Sequence, residues 1–156
     1  MHIRIFDSPI GRLLLSATED AITAIDFMTA GGSESISSEG HSPILGELER
    51  QLTEYFGGQR KSFDIPVQFS DGTAGVLWTF LRDIPYGNTV SYKQFAAQVG
   101  RPRAVRAVAS IIGRNPLPIL FPCHRVVGSD GRLRGFRGGL EAKRWLLKAE
   151  GVPLAR

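Results

Sequence analysis

This chain of 156 residues has one cysteine, three histidines and, in positions 101–156, only three acidic residues. A single cysteine, Cys123, excludes an internal disulfide and cannot alone build a structural zinc site. No window approaches the apolar length of a membrane span, which excludes a helical membrane protein. In the opening Met1-His2-Ile3-Arg4-Ile5-Phe6-Asp7, charges at Arg4 and Asp7 interrupt the apolar stretch that a secretory leader needs. The expectation is a cytoplasmic protein with a reduced thiol, no metal, no cofactor and no membrane partner. With 42% hydrophobic and 22% charged residues it has the composition of a folded globular chain, long enough for one large or two small domains.

The scarcity of acid is local. Residues 1–100 carry seven Lys and Arg against twelve Asp and Glu, net −5; residues 101–156 carry twelve against three, net +9. A basic surplus gathered into one third of a chain is the footprint of a face that meets a polyanion, more than solubility requires.

Residues 3–27 alternate with the period of strands, with turns at Ser8-Pro9-Ile10-Gly11 and Glu19-Asp20, and predict an antiparallel meander. Gly31 to Ser42 is rich in Gly, Ser and Glu and reads as an exposed loop, with His41 a surface residue. From Pro43 the period turns helical (Leu45, Leu48, Leu52, Tyr55) until Gly57-Gly58. Phe63, Ile65, Val67 and Phe69 predict one more strand. A boundary at Ser70-Asp71-Gly72 gives domains 1–70 and 71–156, the first a scaffold.

Beyond it, Val76–Leu81 reads as a helix. Ser91 and Gln94 form a capping box at the start of a helix over 92–99 that Gly100 ends. Pro102 is suited to the first turn of a second helix running to Gly113, so the pair reads as a helix-turn-helix. On that second helix Val105, Val108, Ala109 and Ile112 form a core stripe; Arg103, Arg106, Ala107 and Ser110 face away, two cations with small side chains that let a backbone lie close to a nucleic-acid groove. The Gly- and Arg-rich run 132–139 follows, and a last amphipathic helix over 140–150 turns Trp145, Leu146 and Ala149 inward. Glu150 sits in its final turn, where the helix dipole disfavours a carboxylate, so the residue is a candidate for orienting a base. The whole is an α+β chain.

The chemistry concentrates in Asn115-Pro116-Leu117-Pro118-Ile119-Leu120-Phe121-Pro122-Cys123-His124-Arg125-Val126-Val127. Apolar residues on both sides bury the thiol, which raises its pKa; an imidazole in reach can take the proton or stabilise the thiolate, the combination nucleophilic chemistry needs. A lone buried cysteine is otherwise a small packing residue. Three readings follow from the residues: an enzyme using Cys123 on DNA, a helix-turn-helix sensor or regulator without chemistry, and a cysteine hydrolase that has no use for a basic helix.

Pro122-Cys123-His124-Arg125-Val126-Val127 with Asn115-Pro116 before it, together with Ile84-Pro85-Tyr86-Gly87, Val90-Ser91-Tyr92, Arg106-Ala107-Val108 and Gly138-Gly139-Leu140 through Glu150-Gly151, resembles the O6-alkylguanine-DNA alkyltransferases. The resemblance implies a ribonuclease-H-like N-terminal domain and a C-terminal winged helix-turn-helix domain in a monomer. It implies a protein that flips O6-alkylguanine, and O4-alkylthymine, out of double-stranded DNA and takes the alkyl group irreversibly onto Cys123, in one turnover. His124 would accept the thiol proton through a water, Glu150 orient it, Tyr92 assist the leaving base and Asn115 brace the turn. Arg106 would fill the gap in the stack, with Arg103, Ala107, Ser110 and Ser91 also on the DNA; Val126, Phe136, Arg137 and Gly138 would form the substrate pocket. Phe136 stands where the family often has Tyr, and the N-terminal cysteines that hold zinc in some members are absent, so no metal is expected.

Overall fold

Strand alternation at the start of the chain folds into three antiparallel strands in the order β1-β2-β3: β1 (His2–Ser8), β2 (Gly11–Ala17) and β3 (Ile22–Phe27). β1 and β2 pair from His2 with Ala17 to Ser8 with Gly11, which leaves two residues for the turn. Gly11, at φ +106, adopts a conformation that side chains rarely tolerate. Leu13, Leu15 and Ala17 alternate onto the buried face with Ile22 and Ile25, all 0% exposed. Against β1 and β2 packs α1 (Pro43–Phe56), whose Leu45, Leu48 and Leu52 are fully buried, each contributing about 1.5–3 kcal/mol. The computed structural model describes residues 1–28, 41–69 and 72–154, so Gly31–Gly40 of the expected loop lie outside the described residues. Ser42, expected in that loop, is instead the buried N-cap of α1 and accepts a hydrogen bond from the Leu45 amide.

The expected strand over 63–69 does not form. Its residues alternate between half-buried and exposed, yet a single parallel bridge, Ile22 to Val67, is all that joins it to β3. Pro66 has no amide to give a ladder, and the Gln51 side chain bonds both the Asp64 carbonyl (2.8 Å) and the Asp64 amide (3.0 Å). A side chain has taken the place of a neighbouring strand.

The chain divides into two compact units, Met1–Phe69 and Ser70–Arg156. In the second, α2 (Thr73–Leu81), α3 (Tyr92–Gln98), α4 (Val105–Gly113) and α5 (Leu140–Ala149) carry two very short strands, β4 (Val90–Ser91) and β5 (Val126–Val127), paired in parallel. The pairing puts Ser91 opposite Val127, so the first residue of α3, Tyr92, is held beside the end of the Cys-His turn. Both bonds of the capping box are present, Gln94 amide to Ser91 Oγ (3.0 Å) and Ser91 amide to Gln94 Oε1 (2.8 Å). Gly100, at φ +78, ends α3 in a Schellman arrangement: its amide bonds Ala97 O and the Arg101 amide bonds Ala96 O.

Three expectations about helix faces need correction. Pro102 does not open the second helix; Arg101–Ala104 is a turn closed by the Ala104 amide on Arg101 O, with Pro102 at the position where its fixed φ favours a turn, and α4 begins at Val105. Val108 and Ile112 alone are buried on α4, whereas Val105 and Ala109 are only half-buried. On α5 the buried residues are Ala142, Lys143, Leu146 and Leu147, while Ala149 is exposed. α4 packs on both α2 and α3, and Trp78 donates its indole N–H to Ile111 O (2.8 Å).

Candidate active site

A single side chain shapes the approach to Cys123. Asn115, 1% exposed, donates from Nδ2 to Phe121 O (2.7 Å) and accepts the Leu117 amide on Oδ1 (3.0 Å), closing the loop over 115–121. Inside that loop Ile119 has φ +76, the one non-glycine residue in the left-handed region among the described residues. For a β-branched residue this costs on the order of 1–3 kcal/mol, which the surrounding bonds must offset. Pro122 follows at φ −77, ψ 69, an inverse γ-turn closed by the Cys123 amide on Phe121 O (2.7 Å). Cys123, His124 and Arg125 then form one 3-10 turn leading into β5.

All three side chains of that turn are buried. His124 Nε2 lies 2.7 Å from Glu150 Oε2; Arg125 donates from Nε to Oε1 (2.8 Å), from Nη2 to Oε2 (3.1 Å) and from Nη1 to Ile84 O (2.7 Å). The carboxylate at the end of α5 is thus held by two partners that the turn delivers. His124 Nδ1 is buried and has no hydrogen-bond partner. Burial pushes the His124 pKa below its ordinary value in spite of Glu150, so the ring is neutral and can accept a proton. Burial likewise pushes the Cys123 thiol up, while hydrogen bonding from Asn115 and the charges of Lys143 and Arg137 pull it down. The resting thiol therefore keeps its proton until a base removes it.

Lys143 is 0% exposed. Its Nζ donates to Val126 O (2.7 Å) and Arg134 O (2.7 Å) and lies 3.5 Å from Tyr92 Oη. Burial lowers its pKa to about 8. Tyr92 is raised, first by its own burial and then by the charge of Cys123.

Tyr92 also borders a pocket of about 610 Å³. One wall is a face of α4 with Val105, Arg106, Ala109 and Ser110; the other is the loop Arg134–Arg137 with Phe136. Arg137 Nη1 donates to Asn115 O (3.0 Å), tying this loop to the brace of the cysteine turn. The expected residues thus fall into two groups: Cys123, His124, Glu150 and Asn115 around the buried turn, which do not line the pocket, and Tyr92, Arg106, Ser110, Phe136 and Arg137, which do, with Arg137 bonded to Asn115. Others do not join them. Arg103 and Ala107 are exposed outside the pocket, Gly138 does not line it, and Ser91 serves the cap of α3. Val126, expected in the pocket, is 0% exposed in β5 and contributes its carbonyl to Lys143.

Sequence reasoning missed Lys143, Arg125, Arg134 and the pocket role of Val105. A signal existed for Lys143, which falls on the apolar stripe of α5 with Leu146, Leu147 and, two turns on, Glu150. Among the described residues no cluster of His, Cys, Asp and Glu is arranged to hold a metal, and no helix is long and apolar enough to cross a membrane.

Comparison with known proteins agrees across the chain. Residues 1–69 match the family described as 6-O-methylguanine DNA methyltransferase, ribonuclease-like domain, and residues 74–152 match 6-O-methylguanine DNA methyltransferase, DNA binding domain. The chain is 39% identical to a methylated-DNA–protein-cysteine methyltransferase of Methanosarcina acetivorans, over 97% of this chain and 99% of that protein. It is 37% identical to the protein of that name in Haemophilus influenzae, over 98% and 88%. Among solved structures it resembles Mycobacterium tuberculosis OGT in complex with DNA, with a TM-score of 0.86 and 36% identity over 96% of this chain and 92% of that one.

Proposed function

The chain belongs to the 6-O-methylguanine DNA methyltransferase family, and on that premise we propose that it repairs alkylated DNA directly, by taking the alkyl group from O6 of guanine onto Cys123. The observation that carries this reading is the buried set Cys123, His124 and Glu150 beside a pocket walled by the basic face of α4. O6 of a guanine within a duplex is out of reach, so the nucleotide must be extruded into a pocket, and Arg106, which lines that pocket, fills the gap in the stack. Arg103, Ala107 and Ser110 extend that face along the double-stranded DNA.

Chemistry then needs a thiolate. The Cys123 proton passes to the unpartnered Nδ1 of neutral His124, directly or through a water, while Glu150 holds Nε2 and stabilises the imidazolium. The thiolate attacks the alkyl carbon, the carbon–O6 bond breaks, and its electron pair returns to the purine. Tyr92 hydrogen-bonds the base, guanine takes up one proton from the site or solvent, and His124 gives up the proton it took from the thiol, so the step balances. A new carbon–sulfur bond replaces the carbon–oxygen bond. A thioether has no low-barrier hydrolysis, so each protein acts once, without cofactor or metal, as a monomer in the reducing cytoplasm. O4-alkylthymine, with an equivalent exocyclic oxygen, is a second substrate. Cys123→Ser separates this reading from a DNA-binding module: bound duplex should be retained, and transfer of a labelled methyl from O6-methylguanine DNA to protein should vanish. Transfer surviving in Cys123→Ser would remove the cysteine from its role.

A further inference from the structure

Glu150 meets both His124 and Arg125, and of these only His124 belongs to the proton path. We infer that Arg125 is a positioning residue that keeps His124 neutral, and so able to act as a base, by neutralising Glu150 through both of its oxygens. This rests on the reading of Cys123 as the alkyl acceptor, and it assigns a role to a residue outside the proton path.

The geometry is specific. Arg125 reaches Oε1 through Nε at 2.8 Å and Oε2 through Nη2 at 3.1 Å, and the same Oε2 meets His124 Nε2 at 2.7 Å. A third bond, Nη1 to Ile84 O at 2.7 Å, and the Tyr86 ring, 5.7 Å from the guanidinium carbon, fix the fork in place. Glu150 and Arg125 together carry no net charge, and a neutral His124 leaves the buried trio neutral. Protonating His124 would add a positive charge to a buried site with Lys143 also near. The charged groups facing His124 are therefore Glu150 and Lys143 from α5 and Arg125 from its own turn; Tyr86, from the segment after α2, faces Arg125 and Glu150. Burial is the first cause of the neutral ring; among the charged groups Glu150 favours the imidazolium, while Arg125 and then Lys143 oppose it. Removing Arg125 takes the guanidinium charge away from a carboxylate 2.7 Å from the ring, which then favours a proton on His124 more strongly. The tautomer follows too: the hydrogen sits on Nε2, donated to Glu150, and Nδ1 keeps its lone pair.

Two measurements test this on the full-length chain. Nitrogen-15 NMR of the imidazoles, with His2 and His41 assigned by substitution, should show wild-type His124 at pH 7 as the neutral Nε2–H form. In Arg125→Met its protonation midpoint should be raised by about one pH unit or more, a tenfold change in the equilibrium. Arg125→Lys, which keeps the charge but not the fork, should stay near wild type. Single-turnover transfer from O6-methylguanine duplex should show its acid limb displaced upward in Arg125→Met by the same interval, with the rate recovering as pH rises. A structural role alone would lower the rate at every pH without moving the limb. An imidazolium or an Nδ1–H tautomer in wild type overturns the inference even if Arg125→Met fails to fold, as does an unmoved midpoint in a folded variant. Absence of transfer by wild type at any pH would instead refute the alkyl-acceptor reading, with the NMR result still deciding the role of Arg125.

Discussion

Arg106 lines the pocket from the first turn of α4, away from the buried Val108 and Ile112. If it fills the stack after a nucleotide leaves, Arg106→Ala should slow transfer from a duplex by about tenfold or more, because unstacking costs a few kcal/mol and 1.4 kcal/mol is a factor of ten. Reaction with the free O6-alkylated base, which needs no extrusion, should be nearly unchanged; equal losses on both substrates would sink the role. Some residues of the site were legible because they broke a local rule. Glu150 stands where a helix dipole disfavours a carboxylate, and His124 and Arg125 are the reason it is there. Lys143 is illegible for the opposite cause: lysine is among the residues least often buried, so nothing in its type marks it as a buried member of the apolar stripe of α5. Val105 and Ala109 have the spacing of core residues, since an apolar side chain lining an open pocket carries the same periodicity as one facing a neighbouring helix.

Element boundaries show the same division. The capping box and the Gly100 stop were readable, because both are short-range rules written in neighbouring residues. The failed strand over 63–69 and the late start of α4 were not, since Gln51 and the Arg101–Ala104 turn compete through contacts that a period does not encode. Ser91 matters beyond its helix, because Tyr92 is the first residue of α3 and stands beside the pocket. Ser91→Ala should cost about 1 kcal/mol and slow transfer by loosening Tyr92, while Ser91→Asp, which can still cap, should restore both. Thermal melting and single-turnover rates on the three proteins check it; a Ser91→Ala protein with wild-type stability would remove the cap from the account of the site. At Gly128 a Cβ would stand 2.7 Å from Asp130 Oδ1 and 3.1 Å from Arg132 O, so a side chain there requires Asp130 to swing aside and the Arg132 carbonyl to give slightly.

For the whole molecule, acid excess before residue 100 and basic excess after it anticipated a nucleic-acid partner, and the strongly basic stretch holds α4, the cysteine turn and the pocket loop. The buried neutral histidine also links the fold to pH. Burial holds the folded pKa of His124 below its ordinary 6.5, so between the two values the unfolded chain binds a proton that the folded chain does not. Stability should therefore fall as pH drops below about 6.5. Glu19, Glu47 and Asp130, whose ordinary values are 4.5, 4.5 and 3.8, act at lower pH, and Cys123, Tyr92 and Lys143 act at higher. Melting temperatures between about pH 5 and 7 should slope downward toward acid in wild type and flatten in His124→Gln; an unchanged slope would place the proton elsewhere. The central claim, that Cys123 accepts an alkyl group from DNA and keeps it, is met most directly by intact-protein mass after mixing with a duplex that contains one O6-methylguanine. The predicted result is a gain of one methylene mass, mapped to Cys123 and stopping at one per protein however much duplex is supplied. Binding of that duplex with no change in mass would contradict it.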